Sequence, residues 1–176
     1  MEFYNLAESR QSCRKYNSER LVEQEKIDYI LDCALLSPSA CNSQPYKITV
    51  CQNETAKKVA AEVQGMGMNK FAFDAPVLLV ISEGSYNSTA AMGSKIKGND
   101  YRSIDIGILT AHITLAATSI GLDTCILGWF DDNKIRKICN IDSPVRLVIT
   151  LGFSEDNYPH RQKKRKDKDS MVTFLK

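Results

Sequence analysis

The sequence predicts one domain of α+β type. Three observations carry that reading. Apolar segments with strand character, at 46–51, 75–82 and 144–153, alternate with stretches of helical period. No internal repeat or linker-like run divides the chain. Its 176 residues also match one domain of roughly 100–200 residues, enough to bury a core.

The elements follow in order. Over 23–36, Ile27, Ile30, Leu31, Ala34 and Leu35 recur at helical spacing, and Pro38 helps to end the helix. Residues 46–51, YKITVC, alternate and are rich in β-formers, so they read as a strand. Ala56, Val59, Ala60 and Val63 mark a second helix over 54–64. The run APVLLVIS, 75–82, is continuously apolar after a proline and reads as a buried central strand. Residues 83–103 are polar and glycine-bearing, which predicts a long loop or a partly helical excursion. From Ile104 to Ile120 the period is helical again, and Gly121 fits its C-terminal stop. Gly107 and Ala111 on this helix allow close approach of another helix. Then come a short apolar segment with an embedded glycine, CILGWF at 125–130, a short helix over 132–139, and a strand over 144–153. The tail has no core periodicity until 171–175.

Composition excludes several classes. Apolar residues are 43% and charged residues 25%, ordinary for a globular protein. No apolar run approaches the ~18 residues of a membrane span, and the start lacks a signal-peptide core. The expectation is a cytoplasmic protein with no membrane contact. A net charge of +2 is too small to argue for nucleic acid. The six cysteines show no C-x-x-C and no zinc spacing, so they read as reduced thiols, with no metal site expected.

Catalytic signatures are sparse. Of the two histidines, His112 lies in a helical apolar pattern and His160 in the polar tail, and no G-x-S-x-G or phosphate loop is present. Gly65-Met66-Gly67 starts like a dinucleotide fingerprint but lacks its third glycine and a preceding strand. What stands out is cationic sequence at both ends: RQSCRKY, with Arg10, Ser12, Arg14 and Lys15, and RQKKRK at 161–166. Arginine with a serine hydroxyl suits a phosphate monoester. Each patch by itself reads first as a solvated surface run, and the tail also reads as an RNA or membrane-surface contact. A specific site requires both patches to converge with the polar loop SPSACNSQPYK at 37–47.

Taken together, RQSCRKY, SPSACNSQPYK, IDIGI, GLDTCILGWF and KKRKDKDSMV, in that order, resemble the nitroreductase family of flavin mononucleotide (FMN) enzymes. The resemblance implies a mostly antiparallel sheet flanked by helices in an intertwined homodimer. The 104–120 helix would lie in the interface, the tail would wrap the partner, and one FMN would sit in each cleft between subunits. It places Arg10, Ser12 and Arg14 on the flavin phosphate and on the ribityl and pyrimidine side, with Gln11 contributing. Pro38, Ser39 and Asn42 would reach the flavin from the other subunit, with Gln44 and Pro45 shaping that loop. Asn69 would face the ring. Ile126, Leu127 and Gly128 would run along the ring near N5, and Lys163 and Arg165 would close over the phosphate. Leu127 stands where many members carry an acidic residue. The 83–103 region is short beside the lids of members that dehalogenate or fragment flavins, which disfavours those reactions. Trp129 reads either as a flavin-edge residue or as a packed aromatic.

No catalytic side chain is then expected, because the flavin carries the redox chemistry. The implied activity is an FMN-dependent NAD(P)H oxidoreductase. NADH or NADPH would be the transient donor, and nitroaromatics, quinones or similar electron-poor acceptors would be reduced by a ping-pong route. Two other classes remain: a flavin-binding sensor or store without turnover, and an anionic-surface binder using 161–168. Asp167 in that run and Asp169 just after it oppose the latter.

Overall fold

A computed structural model describes residues 2–175. Among these the elements are α1 (Phe3–Ser9), α2 (Gln24–Leu35), β1 (Tyr46–Gln52), α3 (Asn53–Glu62), β2 (Val77–Glu83), α4 (Ser88–Lys97), α5 (Tyr101–Ser119), β3 (Asp123–Leu127), α6 (Asp132–Cys139), β4 (Val145–Gly152) and α7 (Lys168–Met171). Short 3-10 turns occupy Ala40–Asn42, Gly65–Gly67 and Lys70–Asp74.

The four strands form one sheet in the order β1-β2-β4-β3, and every neighbouring pair is antiparallel. The apolar run at 75–82 is therefore central, as expected of a strand buried on both faces. Its alternate side chains feed two different cores. Val77, Leu79 and Ile81 join Ile149 and Leu151 from β4, and pack against α2 and α5 through Ile27, Ile30, Leu109, Ile113 and Ala117. Leu78 and Val80 join Val148, Cys51 and Leu127 on the opposite face, beneath Val59, Ala60 and Val63 from the α3 region and Ile135 of α6. The period of two in the strands thus splits the core into two helical layers around one sheet.

The excursion at 83–103 is largely helical. Asn87 caps α4 by accepting from the Ala90 N–H at 2.9 Å, and Gly98 ends it in a left-handed conformation, φ 61°. Asp100 caps α5, which starts at Tyr101, three residues before the apolar periodicity begins. None of the helices in the described residues is long and apolar enough to cross a membrane.

One close approach fixes how the polar loop enters the sheet. The Gly84 N–H donates to the Pro45 carbonyl at 2.8 Å. A Cβ on Gly84 would lie 2.7 Å from the Tyr46 backbone nitrogen and 2.9 Å from the Pro45 carbonyl carbon. Backbone atoms cannot rotate away. Gly84→Ala should therefore cost about 1–3 kcal/mol of stability, read as a lower urea midpoint at unchanged slope.

Candidate cofactor-binding cleft

The first half of the cleft is residues 10–16, which leave α1 and run beside β3. Ser12 bridges Thr124 in parallel register, and the Cys13 N–H donates to the Thr124 carbonyl at 2.9 Å. Cys13 and Tyr16 anchor the segment in the core. The Tyr16 hydroxyl lies 2.7 Å from Thr150 Oγ1, and burial pushes the Cys13 thiol up to about 11. A thiol with that pKa stays neutral near pH 7, so Cys13 is packing rather than nucleophile. With those two side chains turned inward, Arg10, Ser12 and Arg14 remain at or near the surface.

The second half comes from the tail beyond β4, about 150 residues away in sequence. The Arg14 N–H donates to the Tyr158 hydroxyl at 3.0 Å, and the Gln11 amide nitrogen donates to the Pro159 carbonyl at 3.2 Å. The Gln11 amide oxygen accepts from the Arg161 N–H at 3.1 Å and from its Nε at 3.3 Å. The Arg161 guanidinium also donates to the Ser12 carbonyl, and the Lys163 ammonium to the Arg10 carbonyl. Gln11 thus ties the two halves through both its amide nitrogen and its amide oxygen, beside the bonds of Tyr158, Arg161 and Lys163.

These halves border an open cleft of about 560 Å³, lined by Arg10, Gln11, Ser12, Arg14 and residues 161–165. Six of the lining residues are cationic and none is acidic. Lys163 feels the crowding: its pKa is lowered by burial and then by neighbouring Arg10 and Arg165. Glu8 opposes that shift but does not outweigh it. Like charges held together destabilise one another, and a dianion relieves that cost. The donor set therefore fits the phosphate of FMN, with guanidinium forks, an ammonium and the Ser12 hydroxyl available to it.

Arg10 also borders a second, smaller cavity of about 350 Å³. Its other walls include Ile126 of β3 and the small residues Gly107, Thr110, Ala111 and Thr114 on α5. Strand alternation buries Cys125 and Leu127 and leaves Ile126 40% exposed, so the cationic end passes into an apolar floor. At Gly128 no heavy atom lies within 4 Å of where a Cβ would be, so the backbone there borders open space. Trp129 is 53% exposed. Its indole lies over Gly65, where a Cβ would meet Nε1 at 2.5 Å, so this ring packs on the 65–67 turn. Asn69 adopts a left-handed conformation, φ 57°, and its amide nitrogen donates to the Val63 carbonyl at 3.1 Å, closing the end of α3.

Pro38, Ser39 and Asn42 line neither cavity. Many polar groups of their loop are used within and around it. Ser39 Oγ accepts from the Gln44 N–H at 2.9 Å, and the Gln44 amide donates to both oxygens of Asn42 at 3.1 Å. Cys41, Asn42 and Gln44 all have positive φ, a strained shape these bonds support. The loop docks on α5 through the Ala40 N–H and buried Asp105 Oδ1 at 3.0 Å, and on the start of α4 through Asn87 and the Cys41 carbonyl at 2.9 Å.

The sequence pattern of the Nitroreductase family matches residues 7–66 and 63–153. A relative from Methanothermobacter thermautotrophicus, provisionally named an NADH dehydrogenase/NAD(P)H nitroreductase, is 32% identical over 163 residues, covering 89% of this chain and 80% of the relative. The chain belongs to the nitroreductase family. Among solved structures it is similar to an FMN-dependent nitroreductase of Clostridium difficile R20291, at 26% identity and TM-score 0.75 over 99% of both chains. A provisionally named nitroreductase of Exiguobacterium sibiricum 255-15, solved in complex with FMN, shares the fold at 17% identity and TM-score 0.81, covering 99% of this chain and 98% of that one.

In this nitroreductase the structure gathers Arg10, Gln11, Ser12, Arg14, Lys163 and Arg165 into one cleft, and places Ile126 at its apolar edge. Sequence reading passed over Arg161, Lys164 and Tyr158. The first two were present in the run RQKKRK, but nothing local distinguishes a cation that folds back on residue 12 from one that faces solvent.

Proposed function

We propose that this nitroreductase is an FMN-dependent NAD(P)H oxidoreductase of one domain, working in the cytoplasm as a homodimer with FMN at the subunit interface. It would reduce nitroaromatic, quinone or similar electron-poor acceptors by ping-pong hydride transfer. The observation that carries the reading is the acid-free cationic cleft, continuous through Arg10 with the apolar floor at Ile126.

Bound FMN would supply the hydride transfer itself. Arg10, Arg161, Lys163 and Arg165 would neutralise its phosphate, with the Ser12 hydroxyl as a directional donor. Arg14 is assigned to the pyrimidine side, where a guanidinium stabilises the negative charge that reduction builds. Ile126 would support one side of the ring, the backbone of Leu127 would run along it, and Gly128 would let that backbone approach closely. Asn69 would reach the ring with the amide oxygen it does not use on Val63. Pro38, Ser39 and Asn42 would come from the partner subunit. The dimer is supported by exposed apolar surface on α5 at Ile104 and by the tail, where Phe174 and Leu175 are 75% and 94% exposed.

Anaerobic stopped-flow mixing of the FMN-loaded protein with NADH and with NADPH tests turnover. Rapid bleaching, then recovery on adding a quinone, is expected. Bleaching no faster than that of free FMN would leave a flavin-binding protein without this activity.

Lys163 adds a pH dependence. Its free pKa is lowered, and a bound phosphate favours the charged ammonium, raising the pKa in the complex. Affinity should thus be full below the lowered value and fall as pH rises through it toward the ordinary lysine range near about 10.4. Fluorescence titrations of FMN should show this alkaline limb in the parent and its loss in Lys163→Gln.

A further inference from the structure

On the sheet face opposite α5, two thiols meet that the flavin chemistry does not use. Cys51 Sγ, near the end of edge strand β1, lies 3.7 Å from Cys139 Sγ, in the last residue of α6. They are 88 residues apart in sequence. Their exposure differs. Cys51 is 1% exposed, whereas Cys139 is half-buried and lines a cavity of about 450 Å³ with Lys47, Thr49, Asn140 and Ile141. A small oxidant can therefore reach one sulfur, and the other waits behind it.

We infer that Cys51 and Cys139 form a hydroperoxide-sensitive dithiol, with Cys139 as the attacked-first sulfur and Cys51 as the resolving one, closing to an intramolecular disulfide. In the first step the Cys139 thiolate attacks the distal oxygen of ROOH. An S–O bond forms, the O–O bond breaks, and RO⁻ leaves and takes up a proton as ROH. Cys139 becomes a sulfenic acid, oxidised by two electrons. In the second step the Cys51 sulfur attacks the Cys139 sulfur. The S–S bond forms, the S–O bond breaks, and the hydroxyl departs with the Cys51 proton as water. The sum is two thiols and ROOH giving one disulfide, ROH and H₂O.

The chemistry of the pair supports that order. The hydrogen bond from Cys51 lowers the Cys139 pKa, against burial, while that same bond and then burial raise Cys51. The C-terminal end of α6 disfavours an anion, so the neighbouring S–H is what makes a thiolate accessible there. A disulfide needs about 2.05 Å between sulfurs, so the pair must close by less than 2 Å. Cys139 ends its helix beside left-handed Asn140, φ 51°, where a terminal turn yields more readily than a helix interior.

Closure would join the strand that leaves the 37–45 loop to the helix that follows Trp129 and Phe130. It would limit the unfolded chain across a long loop, and a rise in Tm on the order of 10 °C is expected.

The test uses the full-length protein, FMN-loaded if it binds, treated with graded hydrogen peroxide, quenched by alkylation in denaturant and digested. A linked Cys51–Cys139 peptide is expected, reversed by dithiothreitol, with the Tm rise. Cys51→Ser should show no Tm rise and should leave a dimedone-trappable sulfenic acid at Cys139. Crosslinks confined to other cysteines, such as exposed Cys41, would overturn the inference. So would overoxidation of Cys139 in the parent protein without a linked peptide.

Discussion

Replacing Arg14 with alanine is expected to weaken FMN binding about 10- to 100-fold, the equivalent of one lost charge-assisted contact of about 1.5–3 kcal/mol. The side chain is exposed and makes no hydrogen bond to the protein among the described residues. Its backbone N–H, which holds Tyr158 at 3.0 Å, survives the substitution. The tail should therefore stay docked, and unfolding free energy without flavin should move by no more than about 0.5 kcal/mol. Arg14→Lys should recover only part of the affinity, because an ammonium restores charge but not the planar fork. Fluorescence titration of FMN against each variant, with urea unfolding alongside, separates these terms. Equal loss of stability and affinity would instead make Arg14 a structural residue.

Gly128→Val should weaken flavin binding strongly while leaving the free protein folded. The position where a Cβ would stand has no neighbour within 4 Å, so the protein itself accommodates the side chain. A ligand whose ring lies along this backbone would not. An overlap that cannot relax costs about 1–3 kcal/mol or more, roughly 5- to 150-fold or more in affinity. Gly65→Ala gives the contrast. Its Cβ would meet the Trp129 indole at 2.5 Å, so it should disturb the protein before any ligand is added. Tm without flavin and FMN dissociation constants for both variants distinguish a position facing ligand from one facing protein.

Much of the fold was legible because the burying faces are strong. In α2, α3 and α5 the buried residues recur at helical spacing, and the continuous apolar run of β2 announces a strand covered on both sides. Helix α1 escaped, and α4 was legible only as a partly helical alternative to a loop, for the opposite reason. α1 buries none of its residues within one chain, with Phe3 71% exposed, and α4 buries only Ala90. Neither leaves an apolar stripe to read.

The site divides along the same physical line. Arg10, Ser12 and Arg14 are close in sequence and are sorted by the burial of Cys13 and Tyr16, a pattern that local reading can find. The partnership of Gln11 with Pro159 and Arg161 depends on how the chain returns from β4, and no local period encodes it. The 37–45 loop is instructive in another way. Its polar side chains looked like ligands in waiting. Within the chain, Ser39 and Asn42 accept hydrogen bonds from Gln44, and these support the positive φ of Cys41, Asn42 and Gln44. A loop built that rigidly is suited to presenting a surface to a neighbouring chain.

Flavin retention decides whether the cleft binds FMN. The purified protein, incubated with excess FMN and passed through a desalting column, should elute with the visible absorption bands of bound flavin, close to one per chain. Elution of the protein without those bands, with all FMN in the small-molecule fraction, would contradict the assignment of the cleft between residues 10–14 and 161–165.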